Sequence, residues 1–189
     1  MSAIELFWLP LGAGGRFVKH NGRVFETIAA RRARRSPCDL YHSALRVSVP
    51  EGAFVIEMAP VVGAPAAERG VVAVGPVGMR WAGRLRLFRY EVRRWAGGFI
   101  PDADEAVDSP RALTGDPGTA RSVLDLVPRV PTPVWGRDEL GTGDMWNSNS
   151  LISWLIVRAG MDIDAVRMPA GGRAPGWDAG VVVARRQRA

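Results

Sequence analysis

Residues 40–58 read Leu-Tyr-His-Ser-Ala-Leu-Arg-Val-Ser-Val-Pro-Glu-Gly-Ala-Phe-Val-Ile-Glu-Met. Tyr41, Ser43, Leu45, Val47 and Val49 alternate with His42, Ala44, Arg46 and Ser48. A period of two is the pattern of a strand with one face buried. Pro50-Glu51-Gly52 supplies turn residues, and Phe54 to Met58 is a second strand. The stretch predicts an antiparallel hairpin over residues 40 to 59.

Working outward, residues 1 to 10 are a short apolar lead, and Leu11 to Gly15 a glycine-rich loop. Asn21 offers a cap for a helix to about Arg35, with Val24, Phe25, Ile28 and Ala29 on one face. Beyond the hairpin, Gly70 to Val74 and Leu85 to Val92 are further candidate strands, and residues 101 to 116 read as an acidic loop. Asp116-Pro117 starts a helix, a cap followed by proline at the first helical position. A helix from about Asn149 to Ala159 is apolar around nearly its whole circumference, which marks it as buried. Val181 to Val183 reads as a short final strand. The order implies the α+β class, an antiparallel sheet packed against a buried C-terminal helix. It fits one domain over residues 1–189, with a core of about 17–183 and a basic tail at 184–189.

The chain has 47 % hydrophobic and 23 % charged residues, as globular proteins do. Its one cysteine, Cys38, forms no internal disulfide and fits a reducing, cytoplasmic setting. The start, Met1-Ser2-Ala3-Ile4-Glu5-Leu6, lacks the basic region of a signal peptide, and no apolar run is long enough for a membrane span. The net charge is +6, carried by arginine, since Lys19 is the only lysine. A polyanion partner is one reading of that excess, and an arginine-for-lysine coding bias is the other. The arginines are mostly scattered, so nucleic acid ranks below a small-molecule or peptide ligand. Oligomeric state is left open.

No phosphate-binding loop, dinucleotide fingerprint or Gly-x-Ser-x-Gly elbow occurs. Besides the carboxylates, His20, His42 and Cys38 are the only metal-binding side chains, and they lack ligand spacing. Neither a metal nor a cofactor is expected.

One pairing carries chemistry. Ser148 stands at the head of the buried helix, and His42 on the first strong strand. A hydroxyl attacks well only if a base takes its proton, and a helix N-terminus presents free N–H groups to a developing oxyanion. The plain alternatives are a capping Asn147-Ser148-Asn149 segment and a structural histidine.

Tyr41-His42-Ser43-Ala44-Leu45, then Phe54 to Met58, then Trp146-Asn147-Ser148-Asn149-Ser150-Leu151, resembles the circularly permuted NlpC/P60 group of papain-like proteins. That group includes lecithin:retinol acyltransferase-like proteins and PPPDE-type deubiquitinating peptidases. The resemblance implies a strand histidine as base and, at position 148, a nucleophile that is cysteine in the family. Here it is serine, whose hydroxyl is far less acidic than a thiol. The resemblance also implies a third group, on the strand after the histidine, for which Glu57 is the candidate. Asn147, Asn149 and Tyr41 are candidate oxyanion or binding groups. Trp135, Arg137 and Trp146 are candidate cleft residues, since tryptophan and arginine are common recognition anchors. Two functions follow: a serine-variant hydrolase or acyltransferase acting on an amide, ester or thioester, or a catalytically inactive small-molecule or protein binding domain on the same fold.

Overall fold

A computed structural model describes residues 3–11, 31, 34, 36–61 and 65–187. The helix expected from Asn21 to Arg35 and the loop before it lie outside the described residues, apart from Leu11, Arg31 and Arg34. The strands are β1 (Ile4–Pro10), β2 (Asp39–Val49), β3 (Gly52–Pro60), β4 (Val71–Pro76), β5 (Arg89–Ala96), β6 (Val107–Thr114) and β7 (Gly172–Arg173). The helices are α1 (Pro117–Leu126), α2 (Ser148–Arg158) and α3 (Trp177–Arg186). The architecture is α+β. The sheet order is β4-β5-β3-β2-β1-β6, antiparallel throughout, and β7 adds two residues in parallel beside the start of β2. Among the described residues no helix is long and apolar enough to cross a membrane.

The hairpin of β2 and β3 forms in the expected register, with Leu45 opposite Ile56 and Val47 opposite Phe54. Leu45, Val47, Ile56 and Met58 point into the main core with Val123 and Leu124 of α1 and Leu151, Ile152 and Leu155 of α2. Ala44 and Val55 point to the opposite face, into a smaller cluster with Phe7, Leu9 and Ile100. Every residue of α2 from Ser148 to Val157 is buried. Each fully buried Leu or Ile there contributes roughly 1.5–3 kcal/mol relative to exposure.

Four sequence expectations are corrected. The apolar lead is β1, an interior strand between β2 and β6. Ile4, Leu6 and Trp8 enter one cluster, Phe7 and Leu9 the other, so two-sided burial erases the alternation that marks a strand. Residues 107–114 of the acidic loop are β6, at the sheet edge, where Pro110 is tolerated. The strand expected at 85–92 runs four residues later, after two short 3-10 turns, Trp81–Arg84 and Arg86–Phe88. The valines at 181–183 belong to α3, not to a strand. Packing decides this: Trp177, Gly180, Val183 and Ala184 form a buried helical face. A Cβ on Gly180 would lie 2.1 Å from the Ser150 carbonyl oxygen, so only glycine lets α3 approach α2 this closely.

Candidate functional site

Asn147 caps α2. Its Oδ1 accepts from the N–H groups of Asn149 (2.9 Å) and Ser150 (3.4 Å), while the Ser150 hydroxyl accepts from the Asn147 N–H at 3.0 Å. Its Nδ2 donates to Pro175 O at 2.7 Å. This closes most orphan donors of the helix start. The Ser148 N–H is left without an acceptor among the described residues.

Asn149 ties α2 to β2. It accepts from the Ser43 hydroxyl at 2.8 Å and donates to Tyr41 O at 2.9 Å and Pro175 O at 2.8 Å. Both asparagines are thus engaged in holding the helix head, rather than turned toward a ligand. Ser150 and Ser153 hydroxyls likewise donate to Gly176 O and Trp177 O, each at 2.7 Å. Ser148 differs from these neighbours. Its hydroxyl makes no hydrogen bond among the described residues, and the residue borders an open space.

The reason is a cleft of about 260 Å³. Pairing of β2 with β3 stops at Leu45 and Ile56, while β2 continues along β1 and β3 continues along β5. The sheet parts there, and residues of both faces line the opening: His42, Ala44, Leu9, Ile100 and Asp102 with Ser43, Met58, Trp135 and Ser148. His42, Ser148, Glu57 and Trp135, four of the residues singled out in the sequence, therefore share one cleft. The His42 imidazole forms no hydrogen bond to Ser148 or Glu57 among the described residues. Trp135 is set edge-on against Tyr90, 5.5 Å between ring centres, and Tyr90 donates to Pro133 O at 2.9 Å.

Several expected roles move. The Glu57 carboxylate lines the cleft and accepts from Arg93 Nη1 at 2.7 Å, a partner the sequence did not indicate. A second carboxylate, Asp102, lines the same cleft, and its charge raises the His42 pKa. Nothing in Pro101-Asp102-Ala103-Asp104-Glu105 distinguishes Asp102 from its acidic neighbours before the chain is folded. Tyr41, Arg137 and Trp146 do not line the cleft. The Tyr41 ring lies over Gly172, Arg137 Nε donates to Gly78 O at 3.1 Å, and Trp146 is buried beside Trp135 in a one-residue bridge. Burial and the charges of Asp39 and Asp108 push the Tyr41 hydroxyl up from its ordinary pKa. Among the described residues no group of three His, Cys, Asp or Glu side chains could hold a metal ion.

Burial pushes His42 down to about 4, against the opposing pull of Asp102. The imidazole is neutral at pH 7, the form that accepts a proton. The unfolded chain titrates this group near 6.5. Between about 4 and 6.5 the unfolded chain therefore binds the extra proton, and stability rises with pH. His42 thus contributes stability in full above about pH 6.5, and loses roughly 2–3 kcal/mol of it as the pH falls toward 4. Thermal denaturation across that window should show His42→Gln with a flatter dependence than wild type. Parallel curves for the two proteins would refute an imidazole held below its ordinary pKa.

No protein-family model matches this chain, and neither a curated protein nor a solved structure matches it.

Proposed function

We propose that the cleft carries out serine-based acyl transfer or hydrolysis on an amide, ester or thioester, on a permuted papain-like architecture of the NlpC/P60 kind. The observation that carries this reading is that His42, Asp102 and Ser148 line one cleft at the head of a buried helix. Ser148 Oγ attacks the carbonyl carbon, and its proton passes to His42. The carbonyl oxygen, now an oxyanion, faces the unpaired Ser148 N–H. The bond to the leaving N, O or S breaks as His42 returns the proton to it. Water or an acceptor nucleophile then attacks the acyl-serine, gives its proton to His42, and releases the acyl group as Ser148 regains the proton. Asp102 stabilises the imidazolium that forms in both halves. Leu9, Met58, Ile100 and Trp135 give the cleft apolar walls, suited to an apolar acyl or side-chain group on a small molecule or peptide.

The second reading, a binding domain without turnover, is favoured by one observation: the Ser148 hydroxyl and the His42 imidazole are not hydrogen-bonded in the free cleft. Treatment with an alkyl fluorophosphonate followed by peptide mapping separates the two. The acyl-transfer reading expects a covalent adduct on Ser148 and none in Ser148→Ala. A folded wild-type protein that takes up no label at Ser148 would leave the cleft as a binding site.

A further inference from the structure

The segment joining β4 to β5 carries large apolar side chains outward. Met79 is 50 % exposed, Trp81 67 %, Leu85 57 %, Leu87 84 % and Phe88 41 %. A contiguous display of this kind on a folded surface marks an interaction site. It is firmly built. The two 3-10 turns are closed by N–H groups of Gly83, Leu85 and Phe88 donating to Arg80 O, Ala82 O and Leu85 O. Arg89 clamps the segment from below, its Nε donating to Gly83 O and its Nη2 to Arg84 O. From Gly70 to Tyr90 the chain holds Arg80, Arg84, Arg86 and Arg89 and no acidic residue, and Arg80 pairs with a carboxylate from outside the segment, Glu139.

We infer that the Met79–Phe88 surface docks on an anionic lipid bilayer. Trp81, Leu85, Leu87 and Phe88 enter the boundary between headgroups and acyl chains. Arg84, next to Leu85, meets the headgroup phosphates. The chemistry selects lipid over the rival partners. Nucleic acid would be met by arginine with stacked aromatics, and would leave the two leucines and Met79 in water. A folded protein would have to match a surface whose character changes residue by residue between arginine and leucine, whereas a fluid bilayer adapts to it. The surface also has a defined relation to the cleft. Val77 pairs with Trp135, Gly78 N–H donates to Trp135 O at 3.2 Å, and Trp135 lines the cleft. Docking would therefore hold the cleft near the bilayer surface, whatever reaction or ligand it serves.

The test is flotation of the full chain with phosphatidylcholine vesicles, with and without phosphatidylserine. Wild type should partition onto the phosphatidylserine vesicles and fall away as salt rises. Arg84→Gln should weaken binding roughly fivefold. Leu85→Ser with Leu87→Ser should weaken it at least as much, with the thermal unfolding midpoint unchanged because both leucines are exposed. No partition of wild type, equal partition of wild type and both variants, or a vesicle-free dimer that the leucine changes dissolve would each overturn the inference.

Discussion

His42→Ala is expected to slow fluorophosphonate labelling of Ser148 by about 10²–10⁴-fold at neutral pH, the range for loss of a positioned general base. The serine hydroxyl cannot reach a useful concentration of alkoxide without a base, and the other groups lining the cleft offer no comparable one. The carboxylates make a sharper distinction. Asp102 raises the proton affinity of His42 against the effect of burial. Asp102→Asn should therefore lower the His42 pKa further, move the acid limb of the rate profile to lower pH, and slow labelling at pH 7. The loss is about tenfold for each pKa unit the carboxylate supplied. Glu57→Gln should leave that limb in place, because its carboxylate is held by Arg93. Labelling that is indifferent to His42→Ala would remove the base from the mechanism. A limb shifted by Glu57→Gln and not by Asp102→Asn would return the orienting role to β3.

Glu91→Ala is expected to cost about 3–5 kcal/mol of folding stability, the range for breaking a buried ion pair from one side. For a chain of this length that lowers the melting temperature by roughly 6–20 °C. Glu91, Arg69 and Arg93 are all buried. The Glu91 carboxylate accepts four N–H donors: Arg69 Nε at 3.1 Å and Nη2 at 2.6 Å, and Arg93 Nε at 3.2 Å and Nη2 at 3.1 Å. Alanine leaves two guanidiniums in the interior with their shared anion gone. Pro65 O and Pro60 O can take some of their donors and Glu57 still pairs with Arg93 Nη1, but the carboxylate that joins the two arginines is lost. The damage should reach the cleft, since Arg93 also holds Glu57. Glu91→Gln keeps the volume and part of the hydrogen bonding, so its loss should be smaller. Thermal unfolding followed by circular dichroism measures both. A Glu91→Ala midpoint within a degree or two of wild type would show the network to be dispensable.

The residue pattern by itself determined the elements whose burial is simple. Tyr41, Ser43, Leu45 and Val47 of β2 are buried while Arg46 is exposed, so the period of two in Tyr41 to Val49 is legible although Ala44 on the other face is buried as well. The start of α1 is a local event, the Asp116 side chain accepting from Thr119 N–H at 2.7 Å, with Pro117 next. The burial of α2 follows from its unbroken apolar circumference, and its cap from Asn147. The same reading picked out His42 and Ser148, which line one cleft.

Only the tertiary structure decided the rest. β1 is covered on both faces, so no periodicity distinguishes it from an apolar lead. The valines of α3 favour a strand locally, and its contact with α2 through Gly180 overrides them. Asn147 and Asn149, free to face a ligand as far as the sequence tells, are drawn into the β2–α2–Pro175 junction. That Asp102 joins Glu57 and His42 along one cleft depends on where the β2–β3 ladder parts. Periodicity reports how one element is buried against its surroundings. It carries no record of which distant charges those surroundings bring together.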